Sequence, residues 1–263
     1  NRCRQVYLYQ PHRHTLFRQI LYHMIELLQG DCLEVMKGIP DGSVDAIITD
    51  PPYGTTACKW DSVIDFDLMW EQLNRIIKPN GAIVLFGSEP FSSALRMSNI
   101  KNYKYDWIWN KKNSGSGLHA KKQPLKINEI ISVFNKHNYY PVMVKGKMRN
   151  KKSYGSKKGS VTGEIKSNKD SFNDLYYPKN IIEISNAGQK GKQHPTQKPI
   201  ELMEYLIKTY TNENETVLDF TMGSGSTMVA CDNLNRNGIG IEMDEAYFKI
   251  AQQRIKENAH KLF

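Results

Sequence analysis

Val44-Asp45-Ala46-Ile47-Ile48-Thr49-Asp50-Pro51-Pro52-Tyr53 opens as a short apolar strand and stops abruptly at two prolines. Neither proline has an N–H, each fixes its own φ, and each disfavours helix at the residue before it, so the backbone leaves the strand stiff and extended. A carboxylate, Asp50, and a ring, Tyr53, are thereby held beyond the strand's C-terminal end, where open α/β sheets place their ligands.

Working outward from this lip, strands and helices alternate. Upstream, Ile25 to Leu28 reads as a strand running into Gly30-Asp31-Cys32, followed by a short amphipathic helix, Leu33 to Lys37, and a turn at Pro40-Asp41-Gly42-Ser43. Downstream come a polar loop, 54–65, a helix around Leu68 to Ile77 stopped by Lys78-Pro79-Asn80-Gly81, and a buried strand, Ala82 to Phe86. A helix from about Pro90 to Met97, an aromatic strand, Tyr105 to Trp109, and a further strand, Ile127 to Asn135, follow. After a long break, Pro199 suits the first turn of a helix, Ile200 to Tyr210, which Thr196 is placed to cap. Thr216 to Asp219 is then a strand, Phe220 to Gly225 a glycine turn, Ser226 to Leu234 a helix, Asn237 to Glu242 a strand and Asp244 to Asn258 a closing helix. This alternation predicts an α/β fold with a mostly parallel, doubly wound sheet. No internal repeat is visible.

Charge divides the chain unevenly. The net charge is +9, yet 82 residues from Lys111 to Lys192 hold 18 Lys and Arg against 5 Asp and Glu, while the rest is slightly acidic. A basic segment set in an acidic body is the footprint of a catalytic domain carrying a phosphate-tracking element. Lys111 and Lys112 begin it; Lys145, Lys147, Arg149, Lys151 and Lys152 form its densest run, with Gly, Ser, Asn and several tyrosines interleaved. Between 136 and 193 apolar periodicity fades, which marks an insertion; a solvated loop is the plainer account of such a run, and the tyrosines favour a nucleic-acid surface. Residues 1–23 show no sustained pattern and are set aside as an extension outside the core, His12 and His14 being tail histidines without acidic or thiol companions rather than a metal site. The four cysteines form no C-x-x-C pair, no signal peptide is evident and no run of eighteen apolar residues occurs, so a soluble cytoplasmic protein with neither zinc nor disulfides is expected. The mean hydropathy of −0.56 agrees.

The lip suits attack by an exocyclic amine whose lone pair is delocalised into a base ring. Asp50 and the carbonyl of Pro51 can each accept a hydrogen bond from such an NH₂, gathering density on nitrogen, and Tyr53 can stack on a base swung out of its helix. A second constellation, Asp219-Phe220-Thr221-Met222-Gly223-Ser224-Gly225-Ser226-Thr227, lies on a strand–turn–helix, with Glu242 ending the next strand. Gly223 and Gly225 let the backbone pass close to a ligand, and a strand-end acid suits paired ribose hydroxyls. A dinucleotide is the competing reading, but Met228 occupies the third glycine position and no pyrophosphate turn is evident, so a nucleoside cofactor without phosphates fits better.

With these residues in place the chain resembles the S-adenosylmethionine-dependent DNA amino-methyltransferases, in the permuted order that puts the catalytic motif before the glycine loop. Asp50-Pro51-Pro52-Tyr53 is similar to the catalytic motif of adenine-N6 members; cytosine-N4 members usually carry Ser at the first position. The resemblance implies S-adenosylmethionine bound by Asp31, Cys32, Asp219, Phe220, Gly223, Gly225, Ser226 and Glu242, with Thr196 and Lys198 gripping its carboxylate. Phe220-Thr221-Met222 departs from the Pro-Phe that many members have. The implied organisation is a catalytic half over 24–135, a target-recognition insertion over 136–193 and a cofactor half over 194–263. The expected activity is adenine-N6 methylation of duplex DNA by base flipping and without a metal, by a monomer or homodimer that has a restriction endonuclease as a possible partner. Cytosine-N4 methylation is the nearest alternative. An RNA or protein-amide methyltransferase usually has the opposite motif order, a non-catalytic binding module leaves the glycine loop unexplained, and a dehydrogenase leaves the Asp50 lip unexplained.

Overall fold

The computed structural model describes residues 4–8, 24–54, 62–114, 117, 120–152, 155–159, 163–167, 171–187 and 197–261. These divide into two compact units, one of 1–140 with 180–263 and one of 141–179.

The larger unit is built on nine strands: β1 (Arg4–Leu8), β2 (Met24–Gln29), β3 (Val44–Thr49), β4 (Ile77–Gly87), β5 (Tyr103–Asn110), β6 (Asn128–Phe134), β11 (Ile181–Glu183), β12 (Thr216–Asp219) and β13 (Asn237–Glu242). Their order across the sheet is β1-β2-β13-β12-β3-β4-β6-β5-β11. Only β1 and β6 run against the others, so the sheet is mostly parallel, as the alternation predicts. Two of its strands have no counterpart in the sequence reading. Arg4–Leu8, inside the segment set aside as an extension, lies antiparallel to β2. Ile181–Glu183, inside the expected insertion, runs parallel to β5.

Helices cover both faces because the central strands are apolar on both sides. Along β3 and β4, Ala46, Ile48, Ala82, Val84 and Phe86 turn to one face, where α4 (Ile200–Tyr210), α5 (Ser226–Asn233) and α6 (Glu245–Lys261) pack. Ile47, Ile83 and Leu85 turn to the other, against α1 (Cys32–Met36), α2 (Phe66–Ile76) and α3 (Phe91–Ser98). The expected stop at Lys78–Gly81 is taken up within β4 as a register shift opposite β3. Asn80 there has φ 65°, and a Cβ on Gly81 would come within 2.8 Å of the Asp45 carbonyl. Asp45 ties the two strands' lower ends together: both its oxygens accept from Lys78 Nζ at 2.8 Å, and Oδ2 accepts from Thr216 N at 2.9 Å.

From β3 the chain winds through α2 to β4 on one side, and from β12 through α5 to β13 on the other. β3 and β12 are neighbours, so the loops leaving their C-terminal ends part and open a crevice at the switch point.

The smaller unit, 141–179, pairs β7 (Val144–Lys151) with β10 (Ser171–Tyr176) and β8 (Gly155–Gly159) with β9 (Gly163–Ser167), each antiparallel. It carries ten Lys and Arg against three acidic residues. Arg149 binds it internally: its guanidinium lies 4.2 Å from the Tyr176 ring centroid and donates to Asn173 Oδ1 and the Leu175 carbonyl. Among the described residues no helix is long and apolar enough to cross a membrane.

Candidate active site

The crevice holds a cavity of about 200 Å³ at the ends of β2, β3, β12 and β13. Asp31, Cys32, Asp50, Pro51, Pro52, Tyr53, Lys198, Asp219, Phe220, Gly223, Ser226 and Glu242 all line it. Residues 170 positions apart thus meet around one space, and a direct bond joins the two halves: Thr221 Oγ1 donates to the Asp50 carbonyl at 3.0 Å.

Each acid is held by its local fold. Asp31 caps α1, Oδ1 accepting from Leu33 N at 2.9 Å and Glu34 N at 3.3 Å. Glu242 accepts Gly223 N at 2.9 Å on one oxygen and Asp244 N at 2.8 Å on the other, which fixes the carboxylate beside the glycine turn; burial raises its pKa. Asp219 accepts Thr227 Oγ1 at 2.5 Å and Thr221 N at 3.2 Å. Burial pushes it up to about 7, with a smaller upward contribution from the charge of Asp50. Gly223 and Gly225 have φ of 53° and 77°, the left-handed region, as the tight turn requires. Cys32 is a buried thiol pushed up to about 12, mainly by burial and then by Asp31.

Asp50 is the centre of a charge cluster. Its Oδ1 accepts from the Tyr53 hydroxyl and its Oδ2 from Lys198 Nζ. Lys198 is buried, with Glu129 Oε2 at 3.2 Å from the same nitrogen and the rings of Phe86 and Trp109 5.1 and 5.9 Å away. Lys111 closes the row, 3.0 Å from Glu129 Oε1. Burial holds Asp50 above the usual carboxylate range, with Lys198 opposing and Glu129 reinforcing the rise. Glu129 titrates below its usual value because Lys198 and Lys111 together outweigh its burial.

The other expected residues have the following surroundings. Lys198, expected on a cofactor carboxylate, is engaged by Asp50 and Glu129. Lys111, expected on DNA, is mostly buried against Glu129, whereas Lys112 is exposed and 3.9 Å from Glu183. The Tyr53 ring packs on Phe91 at 5.0 Å, tilted 31°. Lys145, Lys147 and Lys152 are exposed. Gly225 caps α5 behind the turn. Thr196 and the side chain of Lys151 lie outside the described residues. Glu129 escaped notice; its signal is that it is the lone charged residue of β6.

The lining chemistry fits S-adenosylmethionine. Asp31, Asp50, Asp219 and Glu242 face one cavity whose single cation, among the described residues, is the already paired Lys198. Such a field disfavours a pyrophosphate and favours a cationic sulfonium. Phe220, Met222 and Cys32 add apolar wall.

Comparison with known proteins agrees. M.BglII, a type II methyltransferase of Bacillus subtilis, is 30% identical over 88% of this chain and 69% of its own length. A DNA adenine methyltransferase of Escherichia coli (strain K12), YhdJ, is 28% identical over 88% of this chain and 83% of its own. The crystal structure of the M1.HpyAVI–SAM complex superposes with a TM-score of 0.61 at 30% identity, over 88% of this chain and 99% of that one. The family described as DNA methylase matches residues 44–253, and the chain belongs to it.

Proposed function

We propose that this DNA methylase transfers a methyl group from S-adenosylmethionine to N6 of adenine in duplex DNA, with the target base flipped into the crevice. The observation that carries the reading is the shared cavity: the Asp50–Pro51 lip and the Asp219–Gly223–Glu242 wall face the same space. Asp31, Cys32, Phe220, Gly223 and Glu242 would hold the cofactor, which supplies an electrophilic methyl on a sulfonium. Pro51 lines the cavity and its carbonyl would be a second acceptor, while each Asp50 oxygen keeps a second lone pair beside the Tyr53 or Lys198 bond and can accept from an incoming NH₂. Those bonds strengthen as positive charge develops on nitrogen, which is where they lower the barrier. The raised pKa of Asp50 makes it a better proton acceptor than a surface aspartate once the methylated nitrogen must lose its proton. Asp, not Ser, at position 50 supports adenine over cytosine.

The unit 141–179, with the exposed Lys145, Lys147 and Lys152, is the proposed target-recognition surface. Incubation of unmethylated DNA with the protein and S-adenosylmethionine, followed by mass spectrometry of the nucleosides, tests the reading. N6-methyladenine is expected; N4-methylcytosine or no modified base overturns it.

A further inference from the structure

We propose that Glu129 is a positioning residue of the transfer site, acting through Lys198: it holds the ammonium between two carboxylates and so leaves Asp50 able to accept from the target amine. The inference rests on the reading of Asp50 given above.

The sheet brings the groups together without any local sequence relation. Glu129 is the second residue of β6, which runs against its neighbours, so its start lies at the same sheet end as the Asp50 lip. In register it faces Trp109, one residue before the end of β5, and Lys111 follows that strand directly. Lys198 precedes α4 and reaches into the gap. The charges then alternate along one row, Lys111, Glu129, Lys198, Asp50, with contacts of 3.0 Å at one end and 3.2 Å in the middle, and sum to zero.

A buried lysine paired with Asp50 alone would neutralise the acceptor, since an ammonium at contact stabilises the ionised carboxylate and lowers its basicity. A second carboxylate on the same ammonium divides that pull. Glu129 Oε2 is buried, and among the described residues the Lys198 ammonium at 3.2 Å is its counter-charge. The surroundings are Phe86, Trp109 and Ile131, and an apolar side chain there would serve the fold as well as an ionic row that must be desolvated. The groups facing Asp50 are Tyr53 from its own loop, Lys198 ahead of α4, Glu129 from β6 and Asp219 from β12.

Glu129→Gln removes a negative charge near Asp50, which makes Asp50 less basic. The acid limb of the kcat–pH profile should move down by about one unit. The plateau should fall by up to about tenfold, with KM for cofactor and for DNA within about threefold. Titration of ¹³C-carboxyl-labelled aspartate by NMR, with the Asp50 signal assigned by its loss in Asp50→Ala, should show the same downward movement without turnover. Glu129→Asp keeps the charge and should restore most of the limb position. Lys111→Met acts from the far end of the row: Glu129, freed of its outer partner, draws Lys198 harder and the Asp50 midpoint moves up. That opposite displacement decides the matter if Glu129→Gln loses its cooperative melting transition. Unchanged midpoints in the folded variants, with wild type making N6-methyladenine, overturn this inference alone; wild type making none overturns the functional reading instead.

Discussion

Asp50→Ala separates chemistry from binding. The side chain accepts from Tyr53 and Lys198 and borders the cavity, whereas the Thr221 bond is to its backbone and survives truncation. Removing one preorganised acceptor of developing charge costs about 10²- to 10³-fold in kcat, or roughly 3–4 kcal/mol of transition-state stabilisation. The effect on folding is smaller than that of orphaning a buried charge, about 3–5 kcal/mol, because Lys198 keeps Glu129 at 3.2 Å and the burial of Asp50 itself is relieved. We expect about 1–2 kcal/mol, hence a fall in Tm of about 2–8 °C for a chain of this size. Cofactor affinity should stay within about threefold, since Asp31 and Glu242 are anchored by other bonds. Single-turnover transfer of a labelled methyl group, with calorimetry of cofactor binding, reads both quantities. A variant that keeps kcat within about fivefold of wild type, the methyl still on N6, would remove Asp50 from the chemistry.

Three further outcomes follow from the same geometry. In cofactor-free protein Asp219 titrates near 7 against an ordinary 3.8, so its contribution to stability is full below about pH 4 and is lost as pH rises through 7. Asp219→Asn should remove that loss, of order 4 kcal/mol, and a Tm difference between variant and wild type that does not grow between pH 4 and 7 contradicts it. Gly225→Ala puts a Cβ 3.0 Å from Ala251 Cβ at a φ of 77°, and should cost about 1–3 kcal/mol, measured by thermal melting; an unchanged Tm would mean the turn is not so constrained. DNA affinity should fall steeply with salt, log Kd against log salt having a slope of roughly 3 to 6 if about that many phosphates are neutralised; replacing Lys145, Lys147 and Lys152 by Ala should reduce the slope by about 3, and an unaltered slope moves the phosphate contacts elsewhere.

The residues that could be read in sequence are those whose role is set by the backbone they sit on. A double proline must end a strand, a left-handed turn asks for glycine at 223 and 225, and apolar runs between turns must pair, so the strand ends carrying Asp31, Asp50, Asp219 and Glu242 were legible as one sheet edge. What could not be read depends on which strand lies beside which. β6 enters the sheet backwards, and this reversal alone brings Glu129 to the lip; its sequence is equally compatible with a parallel strand that would put Glu129 at the opposite end. Lys198 had one apparent anion available in sequence terms, a cofactor carboxylate, because its other partners come from segments 148 and 69 residues away. The short β11 escaped because three residues pairing with β5 leave no periodicity.

The same distinction bears on what substitution can do. Positions fixed by local backbone chemistry respond individually: a cap or a left-handed glycine is lost with its own cost. The row from Lys111 to Asp50 is assembled from four separate segments of chain, and its members share one electrostatic balance. Changes within it should be non-additive, because each substitution alters the charge that every other member sees. Because Lys111 acts on Asp50 through Glu129, Lys111→Met should move the Asp50 midpoint little in the Glu129→Gln background, so the double variant should titrate close to Glu129→Gln alone. A double-variant midpoint at the sum of the two single displacements would mean that the groups act on Asp50 by separate routes.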